Sequence, residues 1–584
     1  MVRWAADQTT FALVVGAGPA GLTCAAALGS YGVDHLLIER YPGTAHTPRA
    51  HIVNQRTVEI VRHLGGQQDL EAASTPHEGM ANRLWVTTLT RPDVVRKETW
   101  GTEAHVNAAY RRASPATMLN CPQTRFEPVL VDIVRRQGSD VAFGHKLVET
   151  RRCDGGYLST VRVAGGDFSY TVWSRYVIGA DGARSSVLQM AGLTVQGQTG
   201  LGHAANIWFR ADLSPYLAHR PAVLVSSVYP GPQPPRRGGL LICYEQFNEF
   251  VLSRFYDPTV TDLAQMSNEE AIGYIEAFVG EPVAGVQILG IADWQINNLI
   301  APKFSNAGIF CMGDAVHRHP PTTGMGLNMS AADAFNLAWK LALVERGVAG
   351  EALLNTYNTE RQPVDAATVE RAVSTTVESA AFEESLGLRP GQTEEEGWAA
   401  LAELDDPGPI GDARRATVRA ALGVQDKLFN ALGFELGYRY RDGAIVDDDH
   451  PADEPPGDPW LDYHPGTRPG ARVAHARIER ERVPLSTLDL IDGLQFALLV
   501  GLDDTGWRQA ARQASATLSV EIVVHQIGGP EIRDPYFEWA DRREVGHDGA
   551  VLVRPDRHVA WRAHHRPSDP AGALTTALRR ILAR

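Results

Sequence analysis

A glycine-rich turn near the N-terminus constrains the fold more than any other feature of the sequence. The apolar run Phe11–Val15 leads directly into Gly16-Ala-Gly-Pro-Ala-Gly21, and an alanine-rich stretch that favours a helix follows. In a strand–turn–helix unit, such glycines permit a tight turn, close approach of the backbone to a pyrophosphate, and close packing of helix on strand. The sequence therefore predicts an α/β fold that binds a dinucleotide at the start of its first helix.

The next predicted strand narrows the choice of dinucleotide. It covers residues 36–38 and ends in Glu39. A carboxylate at this place accepts hydrogen bonds from ribose hydroxyls and disfavours a 2′-phosphate, so the predicted nucleotide is FAD or NAD. The alternative is a glycine turn in an unrelated α/β domain, which does not account for strand, helix and acid occurring together.

Composition limits what chemistry the side chains can perform alone. The chain has 584 residues, too many for one ordinary domain, and its 55 basic and 69 acidic residues give a net charge of −14 without a basic cluster. Nucleic-acid binding is therefore not expected. The five cysteines are scattered and form no C-x-x-C pair, which argues against a disulfide scaffold, a zinc site or a dithiol centre. We expect a cytoplasmic protein without a membrane span, whose redox chemistry depends on a bound cofactor.

Two later motifs favour a flavin nucleotide. Asp181-Gly182 and Gly313-Asp314 each follow an apolar strand, and the Asp314 carboxylate can accept hydrogen bonds from ribityl hydroxyls. A loop rich in proline and glycine then leads into a predicted helix at Ser330–Val344. Backbone amides at the start of that helix can stabilise negative charge on the flavin ring.

These segments together resemble the class A flavoprotein aromatic hydroxylases, which include the p-hydroxybenzoate and phenol hydroxylases. The segment Asp333–Lys340 adds to the resemblance, which covers residues 12 to 364 most specifically. Residues 313–321 and 238–250 look most like the 2,4-dichlorophenol 6-monooxygenase branch. Two departures stand out: Leu188 replaces a usual arginine, and Phe250 replaces a tryptophan expected in the pocket wall.

The resemblance implies an FAD site assembled from several segments. Arg49 lies in a segment similar to the one whose arginine lies beside the isoalloxazine, and Gln123 matches a residue that touches the flavin. The residues expected to bind FAD are Gly16, Gly18, Pro19, Ala20, Gly21, Glu39, Arg40, Arg49, Gln123, Asp181, Gly182, Gly313, Asp314, Pro321, Gly324, Gly326, Leu327 and Asn328.

The resemblance also implies a reaction. NADH or NADPH reduces FAD, O₂ gives a flavin C4a-hydroperoxide, and one oxygen atom passes to a phenol-like aromatic or heteroaromatic ring, either in catabolism or in tailoring of a secondary metabolite. The cofactor performs the difficult step, so the protein must supply position, dryness and a group that handles a proton. Candidates for catalytic roles are Arg49, Pro321, Tyr229, Tyr244 and Tyr256, and His51 is a further candidate by region.

Three other functions remain open from the sequence. A flavin-dependent halogenase and a flavin dehydrogenase share the nucleotide motifs, although the W-x-W-x-I-P signature of halogenases is missing. A non-catalytic flavoprotein module for redox sensing or binding is the third. His317 and His319 form an H-x-H pair without a further ligand at suitable spacing, so no metal is expected.

The predicted architecture is an α/β fold with three units. A Rossmann-like FAD-binding domain of the p-hydroxybenzoate hydroxylase type is discontinuous and spans residues 1–75, 100–190 and 295–390. An inserted antiparallel β-sheet substrate domain spans 76–99 and 191–294, and a helical linker region spans 391–455. The resemblance extends to a thioredoxin-like C-terminal domain at 456–584, which lacks C-x-x-C. The expected partner is a small phenol-like substrate, and a homo-oligomer is expected.

Overall fold

The computed structural model describes residues 6–47, 49–231, 238–260, 263–448 and 456–584. The strands are β1 Gln8–Val15, β2 His35–Glu39, β3 Ile52–Val53, β4 Asn82–Val86, β5 Asp93–Glu98, β6 Leu119–Asn120, β7 Val141–Phe143, β8 His145–Cys153, β9 Gly156–Val163, β10 Ser169–Gly179, β11 Gln196–Arg210, β12 Ala222–Ser227, β13 Gly239–Glu245, β14 Glu249–Tyr256, β15 Gln287–Ile300, β16 Ser305–Asn306, β17 Ile309–Cys311, β18 His317–Arg318, β19 Arg477–Arg480, β20 Val483–Ser486, β21 Phe496–Val500, β22 Ile522–Gln526, β23 Ile532–Arg533, β24 Ala550–Val553 and β25 Val559–Ala563. The α-helices are α1 Pro19–Ser30, α2 Gln55–His63, α3 Gln67–Ala72, α4 Ala104–Ala113, α5 Gln123–Arg136, α6 Ser186–Met190, α7 Ser214–Leu217, α8 Asn268–Val279, α9 Gly326–Glu345, α10 Thr356–Ser385, α11 Glu394–Ala402, α12 Pro409–Val424, α13 Asp426–Phe429, α14 Leu432–Gly437, α15 Trp507–Leu518, α16 Glu538–Arg542 and α17 Pro570–Ile581.

The first sheet has the parallel core that the glycine turn predicts. Its strands run in the order β16-β17-β10-β1-β2-β7, and β17, β10, β1, β2 and β7 are mutually parallel. Central β1 is buried on both sides, which explains its continuous apolar run. Because the carboxyl ends of parallel strands meet at one edge, Gly16, Asp181 and Gly313 follow strands, and Glu39 ends β2, at the same edge of this sheet.

The second sheet has the order β18-β15-β11-β14-β13-β12-β4-β5. Its pairs are antiparallel except for β4 and β12, so the prediction of a wholly antiparallel sheet is wrong at this one pair. The mixed pairing arises because β4 comes from a distant part of the chain and is not joined to β12 by a hairpin.

The two faces of the second sheet have different partners. On β13, Leu241 and Cys243 pack in a core together with Phe278 of α8. The alternate residues Leu240 and Ile242 pack in a separate apolar cluster that contains Ile52 of β3. We call the face that carries Leu240, Ile242 and Tyr244 the site face, because it lies against the segment that follows Arg49.

Helices from the C-terminal half cover this apolar cluster. Leu428 and Phe429 of α13 and Leu432 and Leu436 of α14 are buried against it. The other members are Ile52, Met80, Trp100, Tyr110, Ala113, Met118, Val223 and Leu224. The segment predicted as a helical linker region thus contributes side chains to the apolar side of the site.

The last part of the chain forms a small sheet of order β22-β21-β24-β25. The β21-α15-β22 unit is parallel, β24 and β25 are antiparallel additions, and α17 follows. Its core is continuous with that of the first sheet, where the Trp339 ring of α9 meets Phe496 of β21 edge-on at 6.1 Å. In the described parts of the chain, every helix is too short or too polar to cross a lipid bilayer.

Glu435 gives the stability of this fold a specific pH dependence. The side chain is 6% exposed on α14, its Oε2 has no hydrogen-bond partner among the described residues, and burial raises its pKa to about 8. The folded-state pKa lies above the ordinary value of 4.5. The protonated carboxyl therefore makes its full contribution to stability below pH 4.5, and this contribution is lost as the pH rises through 8. We expect the free energy of unfolding of Glu435→Gln to rise by about 3–4 kcal/mol relative to the wild type between pH 4.5 and pH 8, because glutamine does not titrate and any cost of burying its amide is the same at both pH values.

Urea unfolding at pH 4.5, 6 and 8 measures this difference. Glu395→Gln, at an exposed position on α11, is the matched control and should follow the wild type at every pH. Equal pH dependence in Glu435→Gln and wild type would show that the carboxyl is solvated.

Candidate flavin site

Glycine occurs at the three positions of the first turn for different structural reasons. Gly16 has φ +105°, and a Cβ there would lie 2.3 Å from the Ala180 carbonyl oxygen. A Cβ on Gly21 would lie 1.8 Å from the Gly16 carbonyl oxygen, so both glycines are required by the protein itself. A Cβ on Gly18 would have Glu127 Oε1 as its nearest neighbour, at 4.0 Å, so the space in front of Gly18 is open. Gly18 is therefore the position where a ligand can approach the backbone.

The start of α1 supplies unused donors to the same space. Pro19 occupies the first helical position, and the amides of Ala20 and Gly21 make no backbone hydrogen bond among the described residues. Such amides and the helix dipole attract a phosphate. The fit of this turn to a pyrophosphate rests on these free amides and on the open face of Gly18.

Glu39 lies at the same turn. Its Oε2 accepts from the amide of Ala17 at 2.7 Å, and its Oε1 accepts from the amide of Tyr41 at 2.9 Å. Each oxygen retains a lone pair for a ribose hydroxyl. The Arg40 side chain is exposed and lies over the Tyr41 ring at 5.1 Å, so nothing orients it toward the turn.

Gln123 is held by a partner that the sequence analysis did not identify. Its amide donates to Ala50 O at 2.8 Å, and its Nε2 donates to Glu127 Oε1 at 2.7 Å. Glu127 Oε2 accepts from the amide of Ala45 at 2.5 Å, and burial raises the pKa of Glu127. Among the residues that the structure describes, the Gln123 amide oxygen therefore has no hydrogen-bond donor. The signal was available, because residues i and i+4 share one face of a helix.

The two acidic motifs differ in what their carboxylates do. Asp181 accepts from the amides of Ser186 and Val187 at 2.7 and 3.2 Å and from Ser185 Oγ at 2.5 Å, so it caps α6. The turn continues through Gly182, whose φ is +77°. Asp314 is exposed, and its carboxylate makes no hydrogen bond within the described residues. Asp314 is thus the acid with acceptors left for a ligand.

A buried ion-pair network holds the turn that carries Asp314. Asp333 Oδ2 accepts from the Gly313 amide at 3.1 Å and from His317 Nε2 at 2.9 Å, while Oδ1 accepts from Arg361 Nε at 2.8 Å. Arg361 also donates to Asp365 at 2.6 Å. Burial opposes the charge on His317, yet Asp333 raises the pKa of the imidazole. His317, Asp333 and Asp365 come close enough to suggest a metal site, but the Arg361 guanidinium already supplies their positive charge.

The loop after this turn brings helix α9 to the site. Pro321 is exposed at the start of a short 3-10 turn, and Gly324 has φ +65° beside Ile52. The amides of Gly326 and Leu327 begin the 20-residue helix α9 and make no backbone hydrogen bond among the described residues. They carry the positive end of the helix dipole, as a site for a negatively charged ring requires.

Asn328 is predicted to bind FAD, but its side chain is occupied by the protein. Its Oδ1 accepts from the Asn54 amide at 3.0 Å and from Thr57 Oγ1 at 2.7 Å. Its Nδ2 donates to Ile52 O at 3.0 Å and to Gly324 O at 2.8 Å. Asn328 therefore links β3, α2 and the Gly324 loop, and both polar atoms of its side chain are engaged within the protein.

Among the candidate catalytic tyrosines, the structure brings only Tyr244 to Arg49. Its hydroxyl donates to the Arg49 carbonyl oxygen at 2.5 Å, while the Arg49 side chain is exposed. Tyr244 of β13 lies beside the start of the neighbouring strand β14, whereas Tyr256 is the last residue of β14. The Tyr256 hydroxyl donates to Asp293 at 2.5 Å. Tyr229 lines a separate cavity of about 30 Å³ with Trp398 of α11.

The expected position of Phe250 in the pocket wall is wrong. Its ring is fully buried on the α8 side of the second sheet and stacks on Phe209 at 5.6 Å. Strand alternation turns it away from the site face. Pro48, which begins the segment matched around Arg49, lies outside the described residues.

Comparison with known proteins agrees with this geometry. A family described as "FAD binding domain" matches residues 9–372, and one described as "Aromatic-ring hydroxylase, C-terminal" matches residues 466–584. The 2,4-dichlorophenol 6-monooxygenase of Delftia acidovorans is 37% identical, with 98% of both chains covered. The phenol 2-monooxygenase of a Pseudomonas species is 35% identical, with 97% of this chain and 92% of the relative covered. The chain is also similar to the crystal structure of the flavin-dependent monooxygenase PieE in complex with FAD and substrate, with 43% sequence identity and a TM-score of 0.95. The match covers 99% of this chain and 100% of PieE.

The fold and the site define a flavin-dependent monooxygenase. The chain belongs to the family of FAD-binding aromatic-ring hydroxylases, and FAD is its cofactor. The predicted family, cofactor and enzyme class are confirmed, and the comparisons favour the monooxygenase over a halogenase or a dehydrogenase.

Gly18 and Gly21 provide a matched pair that tests the cofactor cradle. We expect Gly18→Ala to fold like the wild type, because its φ of −78° suits alanine, and to weaken FAD binding by about 10-fold or more, equivalent to 1.4 kcal/mol. Gly21→Ala cannot keep the turn, since its Cβ would overlap the Gly16 carbonyl. Flavin-fluorescence titration and far-UV circular dichroism of the apoproteins measure both effects. Unchanged FAD affinity in Gly18→Ala would place the pyrophosphate elsewhere.

Proposed function

We propose that this enzyme hydroxylates an uncharged phenol-like ring that lies between the flavin segments and the site face. The observation that carries the proposal is the apolar cluster on that face, in which Met80, Trp100, Met118 and Leu224 pack with Ile52. Ile52 in turn contacts the position of Gly324, close to the start of α9. An apolar aromatic ring suits this surface, and the phenol and dichlorophenol monooxygenases named among the relatives support a substrate of that class.

The residues of this chain divide the binding of the cofactor among them. Bound FAD supplies the redox chemistry, namely oxidation of NADH or NADPH, activation of O₂ and delivery of one oxygen atom. The open face at Gly18 and the first amides of α1 suit the pyrophosphate, Glu39 suits the adenosine ribose, and Asp314 suits the ribityl chain. The amides of Gly326 and Leu327 are placed to stabilise negative charge on the flavin ring.

The remaining parts of the FAD site act through main chain or through neighbours. Asp181 and Gly182 shape the turn before α6, and Asn328 joins the Gly324 loop to β3. The Gln123 amide oxygen, oriented by Glu127, is free to contact the flavin. Arg49 and Pro321 are both exposed. We assign them to the border of the flavin ring, Arg49 through its side chain and Pro321 through its main chain.

Helices α13 and α14 exclude water from the substrate side. Leu428, Phe429, Leu432 and Leu436 cover the apolar cluster from outside. Dryness matters in this chemistry, because water diverts activated oxygen from the ring. Because α13 and α14 bury the apolar cluster, we assign this helical segment a role in coupling NAD(P)H oxidation to hydroxylation.

The architecture supports the predicted three units. The order β22-β21-β24-β25 with α15 and α17 suits a thioredoxin-like unit at residues 456–584, and it contains no cysteine that could perform dithiol chemistry. The domain boundaries, a homo-oligomeric state and a cytoplasmic location stay predictions.

A substrate panel tests the proposed function. We expect holoenzyme to oxidise NADH or NADPH at least about 10-fold faster when phenol, 2,4-dichlorophenol or 3-hydroxypyridine is added, with a hydroxylated product seen by mass spectrometry. The control is 1,3-dichlorobenzene, which has the ring without the hydroxyl. Stimulation by the phenols supports a phenol as the substrate, and stimulation by 3-hydroxypyridine alone supports a hydroxylated heteroaromatic ring. Failure of every hydroxylated compound to give product would refute a phenol-like substrate.

A further inference from the structure

Arg83 of β4 lies on the site face, beside the apolar cluster. In the strand register, Arg83 is opposite Leu224 of β12, and Leu224 is in turn opposite Ile242 of β13. Side chains that are opposite one another on neighbouring strands lie on the same face of a sheet. Leu224 belongs to the apolar cluster and Ile242 packs against it. Arg83 therefore continues the surface on which the ring of the substrate is proposed to lie.

Most of the hydrogen-bond donors of Arg83 have no acceptor. A guanidinium carries five N–H groups. Nη2 donates to Ser226 Oγ at 2.9 Å, whereas Nε is closed off from solvent and has no partner among the described residues. Nη1 makes no hydrogen bond in the described parts of the chain and is not closed off from solvent, so it is open to a ligand. A buried donor without an acceptor costs free energy, which a bound acceptor would recover.

The positive charge of Arg83 also lacks a direct partner. Within the described residues Arg83 forms no ion pair, and Glu383 of α10 acts on its charge only from beyond ion-pair distance. Asp426 of α13 is already paired, with Lys97 of β5 at 2.8 Å. Burial lowers the pKa of Arg83 to about 10, so the side chain is still charged at neutral pH. Because a desolvated cation is normally paired or hydrogen-bonded, the missing partner indicates a ligand.

Two aromatic rings hold the guanidinium in place. Its Cζ lies 4.8 Å from the centre of the Trp85 ring and 5.2 Å from that of Phe429. Phe429 is a member of the apolar cluster, whereas Trp85 packs with Phe382 of α10 in a separate core. Rings that stack on a guanidinium leave the N–H groups at its edge for hydrogen bonds. Arg83 is thus half-buried at the border of the apolar cluster, and its orientation is set before a ligand binds.

The separation between Arg83 and the flavin side determines which part of a substrate can reach it. Tyr244, which contacts Arg49 beside the proposed flavin position, lies two strands from Arg83 and two residues beyond Ile242. With about 4.8 Å between strands and about 3.4 Å per residue, the Cα atoms of Arg83 and Tyr244 are roughly 12 Å apart. A ring that reacts beside the flavin is therefore reached by Arg83 through a side chain that the ring carries.

We propose that Arg83 binds an oxygen acceptor, a carboxylate or a carbonyl group, on a side chain of the substrate. This rests on the proposed hydroxylation of a phenol-like ring. The ring itself is uncharged and packs on the apolar cluster, while the edge of the guanidinium donates hydrogen bonds to the side-chain oxygen. Arg83 takes no part in oxygen transfer. It makes the enzyme selective for phenol-like rings with an oxygenated side chain over unsubstituted phenols.

Three compounds of similar size test this proposal. In 3-(4-hydroxyphenyl)propanoate the side chain ends in a carboxylate, in 4-(4-hydroxyphenyl)butan-2-one it ends in a methyl ketone, and in 4-(3-methylbutyl)phenol it is a hydrocarbon; each is used as its meta and para isomer. Binding to holoenzyme is followed by perturbation of the flavin absorbance. In Arg83→Met we expect the affinity for the acid, the ketone or both to fall at least about 10-fold relative to the hydrocarbon, because hydrogen bonds to a charged group are lost. A fall for the acid alone identifies a carboxylate as the acceptor, and a fall that includes the ketone identifies a carbonyl oxygen.

Two further variants complete the comparison. Lysine keeps the charge but loses the fork of N–H groups, so Arg83→Lys should lose only part of the preference, and it serves the comparison if Arg83→Met does not hold FAD. Arg96 of β5 is exposed and opposite Leu84, on the other face of the sheet, and Arg96→Met should bind all compounds like the wild type.

The matched compounds separate this role from simple packing. If Arg83 only packs against Trp85 and Phe429, its removal changes the affinity for acid, ketone and hydrocarbon alike. Relative affinities in Arg83→Met that stay within about 3-fold of the wild type therefore overturn the role of Arg83 alone. If the wild type hydroxylates no phenol, the proposed function fails and this role fails with it.

Discussion

Replacing Asp314 with alanine is expected to weaken FAD binding by about 100-fold, because hydrogen bonds to a charged group contribute roughly 1.5–3 kcal/mol. The carboxylate is exposed and unpaired among the described residues, so its removal leaves the protein's own contacts intact. The free energy of unfolding of the apoprotein should therefore change by less than about 0.5 kcal/mol. Titration of apoprotein with FAD, followed by quenching of flavin fluorescence, measures the affinity.

Asp154→Ala is the control for loss of one exposed carboxylate. Asp154 lies in the turn between β8 and β9, away from the carboxyl ends of the parallel strands. It should bind FAD like the wild type. Equal FAD affinity in Asp314→Ala and Asp154→Ala would contradict the assignment of Asp314 to the ribityl chain.

Replacing Arg554 with methionine is expected to lower the free energy of unfolding by about 3–5 kcal/mol, the usual cost of breaking a buried ion pair. Arg554 joins β24 to α10 through Glu360 at 2.7 Å and also pairs with Asp556 at 2.5 Å. Lys340 of α9 binds the same Glu360 at 2.8 Å. Burial opposes ionisation of Glu360, yet Arg554 and Lys340 lower its pKa to about 2. Removal of Arg554 leaves Asp556 buried without this partner.

Arg136→Met gives the comparison for this measurement. Arg136 and its partner Asp69 are both exposed, and such surface pairs contribute about 0–1 kcal/mol. Chemical unfolding followed by circular dichroism should separate the two variants clearly. Similar stability of Arg554→Met and Arg136→Met would mean that the C-terminal part does not anchor α9 and α10.

Local spacing explains which parts of the site could be predicted. Gly16, Gly18, Gly21 and Glu39 act within one strand–turn–helix–strand unit, so their order along the chain determines their positions. The position of Asp314 is predictable for the same reason, because this residue comes shortly after another parallel strand. The sequence does not show where a carboxylate points, and it therefore could not distinguish Asp181, which caps a helix, from Asp314, whose carboxylate has no hydrogen-bond partner in the described parts of the chain.

The substrate side depends on contacts between distant segments. The sequence indicates the candidate tyrosines only by their region of the chain, but strand register and alternation decide which side chain faces the site. Tyr244 reaches Arg49, whereas Tyr256 lies at the far end of β14. The tautomer of His51 depends on Asn120, whose own orientation is fixed by Thr75 and Cys243. Such a chain of partners has no signature in sequence spacing.

The most direct test of FAD-dependent ring hydroxylation is the origin of the oxygen atom in the product. Holoenzyme is supplied with NADH or NADPH and 2,4-dichlorophenol under ¹⁸O₂, and the product is analysed by mass spectrometry. We predict a hydroxylated phenol that carries one ¹⁸O atom, formed only when FAD is bound. Product oxygen derived from water, or oxidation of NAD(P)H without any hydroxylated product from the phenol panel, would contradict the account.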